Sequence, residues 1–542
     1  MNPRPRFTSR LTRLRNAVLG VVLRPVCWFS AATQFVLGFT FLIFVTTALL
    51  ARWPLTLKSL GPFALVLASY FVLWRFVEAR EAAVDLSISK RRAFALVGSA
   101  IVVETAVMRL GFIVAASLAA QSTQAPLNLP SVWAFTIPFA AASLLVTMLL
   151  DRPLALITGV ITCIFAGLLA PNGAQAAVYA FLSCSAAVYG IKRYRERQSV
   201  TLAGLLVAGV NCIAALALIA FAQRPLTLTG AVVAASCAVG GGLLTIVFAA
   251  GGVPINESLF SILTDIRLLE LSNADLPVLS QLALRAPGTN QHSHAVGQLA
   301  EDACRAIGAN ALLARVGSLY HDIGKVAAPE HFVENQVGRN PHDRLRPMQS
   351  AKIITSHVTY GLKLAREIGL PKRVADFIPQ HHGTRTLHFF LQKARAQAEP
   401  AEIINEAEFR YVGPKPQFKE AAILMLADSA EAAARSLAHP DLESIQAIVV
   451  RIFDAILTDG QLDESKLTLR ELARIRESLI GSLTALYHPR IDYPGFNVAP
   501  AASAGAAKAK SGDEERGVSY QKAADVPINP SGEVEDEAIT RE

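Results

Sequence analysis

The chain has 542 residues, of which 52% are hydrophobic and only 17% are charged, and its formal net charge is +8. This composition is too apolar for an ordinary soluble protein, in which about 25% of residues are charged, and the length leaves room for two or three structural units. The six cysteines form no CxxC pair, and five of them lie in or beside apolar runs, which argues against a disulfide framework or a zinc knuckle.

The apolar residues are concentrated in the first half, where residues 28–250 are predicted to form a transmembrane bundle. A membrane-spanning helix needs about 20 mostly apolar residues. Runs of this kind predict about eight helices, at 28–50, 59–78, 93–119, 132–150, 153–170, 174–190, 200–222 and 228–250. Some runs are short or closely spaced, so seven or nine helices also fit. Neither a broken helix nor an internal repeat, as transporters use, is evident.

Lysine and arginine fall mainly in one set of loops between the predicted helices. With eight helices, fifteen of these residues lie in one set and three in the other. The basic set comprises residues 1–27, 79–92, 151–152 and 191–199. Because cytoplasmic loops carry the excess of Lys and Arg, the N-terminus and everything after residue 250 are predicted to be cytoplasmic. We expect a multi-pass protein of a bacterial-type inner (cell) membrane, in contact with the lipid bilayer, and no stable nucleic-acid partner is needed to explain the charge.

Two charges, Glu104 and Arg109, lie inside the third predicted helix. A charge in the bilayer core is unfavourable by several kcal/mol unless it is paired or faces a cavity. Five residues separate the two, which would allow an imperfect pairing within the helix. A structural contact in the bundle and a polar pocket for a signal or a transported solute are the other interpretations.

The second half has the mixed composition of a soluble domain and a helical pattern throughout. Residues 251–290 are predicted to form a linker that contains an amphipathic helix, and residues 291–495 a helical domain in which no segment alternates as a strand does. The tail at 496–542, rich in Ala, Ser, Gly, Lys and Glu, is predicted to be disordered. The sequence therefore predicts an all-α protein, in which a polytopic membrane bundle precedes a cytoplasmic helical domain.

Histidine is confined to the second half, since all eleven histidines lie at or beyond position 292. Five of them and two aspartates stand in or at the end of apolar helical stretches, where a polar side chain is unfavourable unless it is satisfied. They are His292, His321, Asp322, His357, His381, His382 and Asp428. One such histidine would more often be a hydrogen-bonded core residue, but a set of this size favours a metal centre. Imidazole and carboxylate ligands suit iron, manganese, zinc or another divalent ion, and the absence of cysteine ligands argues against a structural zinc.

These ligands are more than one ion needs, and they suit two ions that share a carboxylate. Asp322 is the natural bridge, because the adjacent His321 can hold one ion while the carboxylate contacts both. Two ions about 3.5–4 Å apart can lower the pKa of a shared water and clamp a phosphoryl group.

The order H…HD…H…HH…D over residues 290–435 resembles that of the HD-domain phosphohydrolases. The segments "LYHDIGK", "SAKIITSHV", "PQHHGT" and "ILMLADSAEAA" are most similar to the membrane-bound 7TM-HD family (PgpH-type), whose characterised members hydrolyse cyclic di-AMP to linear pApA. The resemblance implies a helical HD domain with two divalent ions, most readily Mn or Fe. It implies one ion on His292, His321, Asp322 and Asp428, and the other on Asp322, His357, His381 and His382.

The chain departs from related families in two places. "HHGTRTLHFF" follows the histidine pair where the HD-GYP enzymes have a GYP element, which disfavours cyclic di-GMP as the substrate. Members of the 7TM-HD family usually carry a large extracellular domain after the first membrane helix, whereas only "ARWPLTLK" stands there in this chain. Any signal is therefore expected to enter through the bundle.

The predicted catalytic residues are Asp322 and Lys325, whose ammonium group could contact a phosphate oxygen. Weaker candidates for substrate contact are His331, His342, His388, Arg344 and Arg346, whereas His294 is expected to be structural. The favoured function is hydrolysis of cyclic di-AMP. An HD-domain nucleotidase, an RNA phosphodiesterase and a nucleotide-binding membrane receptor without catalysis are the alternatives, and the sequence predicts no oligomeric state.

Overall fold

A computed structural model describes residues 30–51, 57–83, 88–191, 198–222, 227–399, 404–437 and 440–487. Within these ranges the regular secondary structure is helical, and the only β contact is an isolated bridge between Thr386 and Arg410. The predicted all-α fold is therefore confirmed. The predictions for the basic N-terminus at 1–27 and for the tail at 496–542 lie outside the described residues.

The apolar half forms a bundle of helices, most of them long. They are α1 (Ala31–Leu50), α2 (Leu60–Ala83), α3 (Lys90–Ala119), α4 (Pro130–Trp133), α5 (Ala141–Leu149), α6 (Arg152–Leu169), α7 (Gly173–Gly190), α8 (Gln198–Phe221) and α9 (Leu228–Phe260). In the described part of the chain, seven segments are long and apolar enough to cross a membrane, with Pro130–Leu149 counted as one. The sixth predicted helix, 174–190, forms as α7 but is not among the seven, because Gln175 and several Ser and Tyr residues make it less apolar.

The fourth predicted helix is broken, so the expectation of unbroken helices is wrong at this place. A short 3-10 turn, Ala134–Thr136, is followed by extended backbone at Ile137, and α5 begins only at Ala141. Pro138 explains the break, because proline has no N–H and disfavours a helical conformation in the residue before it. Two carbonyls near the break accept hydrogen bonds from α7: Tyr179 Oη donates to Phe135 O over 3.0 Å and Cys184 Sγ to Phe139 O over 3.2 Å.

The two charges of α3 do not pair with each other, and each contacts the end of a different helix. Glu104 Oε2 accepts a hydrogen bond from the N–H of Ala142 at the start of α5, over 3.1 Å. Arg109 donates to the carbonyls of Ala48, Leu49 and Ala51 at the end of α1. A carboxylate at a helix N-terminus and a cation at a C-terminus both complement the helix dipole. The structure therefore agrees with a structural contact within the bundle.

The predicted linker 251–290 consists of several helices. Its first part belongs to α9, which runs for 33 residues to Phe260 and is capped by Ser261, a residue in the left-handed conformation with φ 56°. α10 (Asp265–Leu271) and α11 (Pro277–Arg285) follow. Ile262 packs with the core of the membrane bundle, whereas Leu268 packs with the core of the second half. The connection between the two cores is therefore only a few residues long.

The second half is a helical domain built around one buried helix. Its elements are α12 (Pro287–Ile307), α13 (Ala311–Tyr320), α14 (Pro347–Glu367), α15 (Lys372–Ala375), α16 (Phe377–Gln380), α17 (His388–Gln397), α18 (Lys419–Arg435), α19 (Leu442–Thr458) and α20 (Leu469–Leu486). α18 is buried along most of its length, because its apolar run "AAILMLA" is covered by α12, α13, α19 and α20. This central position places Asp428 inside the domain.

Candidate metal centre

The structure brings all seven predicted ligands into one buried site. They come from five segments of the helical domain: His292 from α12, His321 and Asp322 from the end of α13, His357 from α14, His381 and His382 from the segment after α16, and Asp428 from α18. The ligand atoms form two groups, each with its atoms within 4.8 Å of one another. The first group is His292, His321 and Asp428, and the second is Asp322, His357, His381 and His382.

The carboxylate of Asp322 lies between the two groups and presents a different oxygen to each. Its Oδ1 lies 3.4 Å from His357 Nε2 and 3.6 Å from His381 Nε2. Its Oδ2 lies 3.2 Å from His321 Nε2 and 3.9 Å from His292 Nε2. This geometry is the one expected of a carboxylate that bridges two ions.

The histidine rings are oriented by hydrogen bonds from their outer nitrogens. The Nδ1 atoms of His321 and His357 each donate to a carbonyl three residues earlier in the chain, over 2.6 Å. His381 Nδ1 donates in the same way to Ile378 O over 2.8 Å. Such bonds fix the tautomer and leave each Nε2 with a free lone pair facing the centre.

The centre contains buried polar atoms that a divalent cation would satisfy. The Nε2 atoms of His321, His357 and His381 and the Oδ1 of Asp322 are buried without a hydrogen-bond partner among the described residues. Four such atoms together are unusual, since buried polar groups are nearly always paired. Their chemistry, imidazole nitrogen and carboxylate oxygen, matches the ligands of a non-structural divalent metal. The residues present therefore fit a metal centre.

Electrostatics supports the same interpretation. Burial lowers the pKa of His357 to about 4 and holds the pKa of His382 well below its usual range, so both rings are neutral and can act as ligands. Burial also lowers the pKa of His292, but its bonds to Asp428 and Glu431 outweigh this effect and raise that pKa to about 10. The first group thus attracts positive charge, which a divalent ion would provide.

Gly324, the glycine of "HDIG", lies where the loop carrying Asp322 crosses α14. A Cβ atom on this residue would lie 1.8 Å from the carbonyl oxygen of His357 and 2.7 Å from the N of Gly361. Both are backbone atoms that cannot rotate away. A glycine is therefore required here for the two ligand-bearing segments to approach each other.

Lys325 is held in the wall of the centre by two carboxylates. Its ammonium lies 2.7 Å from Asp322 Oδ2 and 2.8 Å from Glu334 Oε1, and its side chain is only 12% exposed. Burial lowers the pKa of this lysine, but the two carboxylates outweigh burial and hold the pKa above its usual value. The predicted contact of Lys325 with a phosphate stays a prediction, as do the catalytic roles of Lys325 and Asp322.

Three residues of the site were not predicted from the sequence: Glu431, Glu334 and Tyr411. Glu431 Oε2 lies 2.6 Å from His292 Nδ1, and the ring of Tyr411 stacks on His382 with centroids 4.2 Å apart. Glu431 stands three residues after Asp428 on α18, and this spacing, which places both on one helix face, was the available signal. Tyr411 and Glu334 lie outside the α-helices, in segments without a periodic pattern.

The weaker candidates lie outside the two ligand groups. His294, Arg344, Arg346 and His388 are exposed. His342 is buried and its Nε2 donates to His331 O over 2.9 Å. Their contacts with a substrate stay predictions.

Each half of the chain matches a known family model. Residues 56–264 match the family model of a 7TM receptor with intracellular HD hydrolase, and residues 289–433 match that of the HD domain. The first match covers α2 to α9, which are seven membrane helices if α4 and α5 count as one and α7 is included. The predicted count of about eight membrane helices stays a prediction, since the seven candidate segments of the described chain include α1 and leave out α7.

Two relatives bear the name cyclic-di-AMP phosphodiesterase PgpH. The protein from Bacillus subtilis (strain 168) is 39% identical over 369 residues, which are 66% of this chain and 51% of that protein. The protein from Listeria monocytogenes serotype 1/2a (strain 10403S) is 39% identical over 364 residues, which are 67% of this chain and 50% of that protein. The chain thus spans about half the length of these curated relatives.

A crystal structure of the L. monocytogenes PgpH HD domain in complex with cyclic-di-AMP is 46% identical, covers 40% of this chain and 100% of that chain, and gives a TM-score of 0.38. Along the chain, the match to the 7TM region comes first and the match to the HD domain follows it. The chain belongs to the 7TM-HD family of membrane proteins, in which a 7TM region is followed by an HD domain.

Proposed function

We propose that this protein is a membrane-anchored, two-metal phosphodiesterase that hydrolyses cyclic di-AMP to pApA. The observation that carries the proposal is the position of Asp322, whose two carboxylate oxygens face two separate ligand groups. Two-metal sites of this kind serve phosphoryl chemistry. The substrate is proposed because two relatives that match two thirds of the chain are named for cyclic di-AMP.

Manganese or iron is the proposed metal, and two such ions would act as Lewis acids that neutralise the charge developing on a phosphodiester. The chain itself orients the centre. Backbone carbonyls fix the rings of His321, His357 and His381, and burial places the ligands in surroundings of low dielectric constant, which strengthens electrostatic interactions among them. The ion pair between Lys325 and Asp322 restrains the carboxylate on which both groups depend.

The substrate is tested by a side-by-side assay of the full chain in detergent with Mn²⁺. Cyclic di-AMP, cyclic di-GMP, pApA and a short RNA are compared at equal concentration, with an Asp428→Ala variant as a control for contaminating activity. We expect cyclic di-AMP to be cleaved at least about tenfold faster than the others, since sites that hydrogen-bond one base reject another by that factor or more. Faster cleavage of cyclic di-GMP or RNA would defeat the assignment, and no cleavage of any would favour a receptor without catalysis.

We also propose that the protein lies in a bacterial inner membrane with the HD domain in the cytoplasm. The sequence supports this through the fifteen basic residues in one set of loops and three in the other. Contacts at one end of the bundle agree, since residues of three of the four basic connections meet there. Arg80 Nε lies 2.7 Å from Asp151 Oδ2, and Arg152 donates to Ile191 O over 2.7 Å.

Reporter fusions test this topology. A fusion at residue 125, between α3 and α4, and a fusion at residue 300 are expected to lie on opposite sides of the membrane, because the proposal puts five membrane helices between them, with α4 and α5 counted as one. A fusion at residue 88 should share the side of residue 300 and serves as the matched control. An external reporter at 300 would overturn both the helix count and the access of the site to a cytosolic nucleotide.

A further inference from the structure

His292 differs from the other oriented histidines of the centre in the partner of its outer nitrogen. His321, His357 and His381 each donate from Nδ1 to a neutral carbonyl within their own segment. The Nδ1 of His292 instead lies 2.6 Å from Oε2 of Glu431, a carboxylate on a different helix. One ligand of the first group is therefore bonded to a charged acceptor.

Glu431 is buried in the domain and is held by several partners. It is only 1% exposed, and a buried carboxylate is unfavourable unless several partners satisfy it. Its Oε1 accepts from the hydroxyl of Tyr487 over 3.2 Å and from the guanidinium of Arg435. The remaining oxygen, Oε2, is left to His292. The carboxylate is thus held from two sides and points at the metal ligand.

A charged acceptor changes what His292 can do as a ligand. Charge-assisted hydrogen bonds are stronger than neutral ones. A carboxylate that accepts from one ring nitrogen fixes the ring and raises the basicity of the nitrogen facing the metal. The described residues supply such a carboxylate to the first group, whereas the oriented histidines of the second group rely on backbone carbonyls.

We propose that Glu431 is a positioning residue that makes the two metal sites unequal. It holds His292 so that the ion bound by His292, His321 and Asp428 is held more tightly than the ion bound by His357, His381 and His382. Tyr487, at the end of α20, and Arg435 secure Glu431 in turn. This inference rests on the two-metal centre of the proposed function, and it does not depend on the substrate.

The test is a titration of the metal-depleted full chain in detergent with Mn²⁺, following bound ions per chain by elemental analysis and free Mn²⁺ by electron paramagnetic resonance. The wild type is expected to bind two ions in two resolved steps. Glu431→Ala should weaken the tighter step about 10–100-fold, the usual effect of removing such an outer partner, and leave the weaker step unchanged. Glu431→Gln keeps an acceptor but loses the charge, so its affinity in the tighter step should lie between those of the wild type and Glu431→Ala.

Glu301 provides the matched control. It is also buried, lies on the same helix as His292 and pairs with an arginine four residues later, Arg305, but it contacts no member of the centre. Glu301→Gln should therefore leave both binding steps unchanged, and the melting temperatures of all variants show whether the fold is retained.

Three outcomes would overturn the inference. In folded protein, equal weakening of both steps by Glu431→Ala would mean that the residue only supports the domain, and unchanged steps would mean that it does not act on the metal at all. If the wild type itself binds no Mn²⁺, the two-metal centre fails and the inference fails with it. If the wild type binds two ions and Glu431→Ala binds them equally well, the inference is overturned and the proposed function is unaffected.

Discussion

Replacing Asp322 with alanine is expected to remove both metal ions and to abolish hydrolysis. The reason is that each oxygen of this carboxylate faces one ligand group, with Oδ1 3.4 Å from His357 Nε2 and Oδ2 3.2 Å from His321 Nε2. We expect kcat with excess Mn²⁺ to fall at least about a thousandfold, which corresponds to about 4 kcal/mol of lost transition-state stabilisation. Elemental analysis of the full chain in detergent gives the ion count, and the cyclic di-AMP assay gives the rate.

His294→Ala is the control for this experiment. His292 is buried in the centre, whereas His294, two residues later on the same helix, is exposed. His294→Ala should therefore retain both ions and the full rate. An Asp322→Ala protein that is folded and still binds two ions would refute the bridging arrangement. Asp322→Asn, which preserves the volume of the side chain, shows whether loss of the ions reflects the carboxylate and not a collapse of the site.

Gly324→Ala is expected to damage both stability and the second ligand group. The added Cβ would lie 1.8 Å from the carbonyl oxygen of His357, so one of the two backbone segments must move. We expect a loss of at least about 3 kcal/mol in the free energy of unfolding, the upper end of what overpacking costs. Since either segment carries a ligand of the second group, Asp322 or His357, binding of the second ion should also weaken. Thermal unfolding and Mn²⁺ titration measure the two effects.

Gly297→Ala is the matched control, because it adds the same methyl group in the same domain. There the new Cβ would lie 3.5 Å from the side chain of Ser318, an ordinary contact distance. Alanine is also favoured over glycine within a helix by about 1 kcal/mol, so this variant should be at least as stable as the wild type. Equal melting temperatures for Gly324→Ala and the wild type would show that the close approach does not constrain the site.

The ligands of the centre were predictable because their chemistry conflicts with their surroundings. His321 and His357 stand in or at the end of apolar helical stretches, where a polar side chain is unfavourable unless it is satisfied, and a shared partner accounts for so many residues of this kind. The helical period and the long apolar runs likewise sufficed for the all-α fold.

What escaped prediction depends on contacts between segments far apart in the sequence. Glu431 lies in "SAEAAAR", and although its spacing from Asp428 indicates a shared helix face, only the fold places it beside His292, 139 residues earlier. The break before α5 was missed because the apolar run continues across it, and hydropathy does not register the missing N–H of Pro138. Glu104 and Arg109 could not be assigned partners either, since these are backbone groups of other helices.

The connection from α9 to the HD domain is short, so α9 determines the orientation of the domain. α9 is a single helix of 33 residues, and only Ser261 to Thr264 separate it from α10. Each helical residue adds a rotation of about 100° and a rise of about 1.5 Å, so the number of residues in α9 sets the azimuth of the HD domain about the axis of this helix. Two extra residues would turn the domain by about 200°, whereas four would return it to within about 40° and move it about 6 Å along the axis. The length of α9 therefore determines the orientation of the HD domain. Homologues in which α9 is longer or shorter by something other than whole turns would carry the metal centre on a different side of the helix axis.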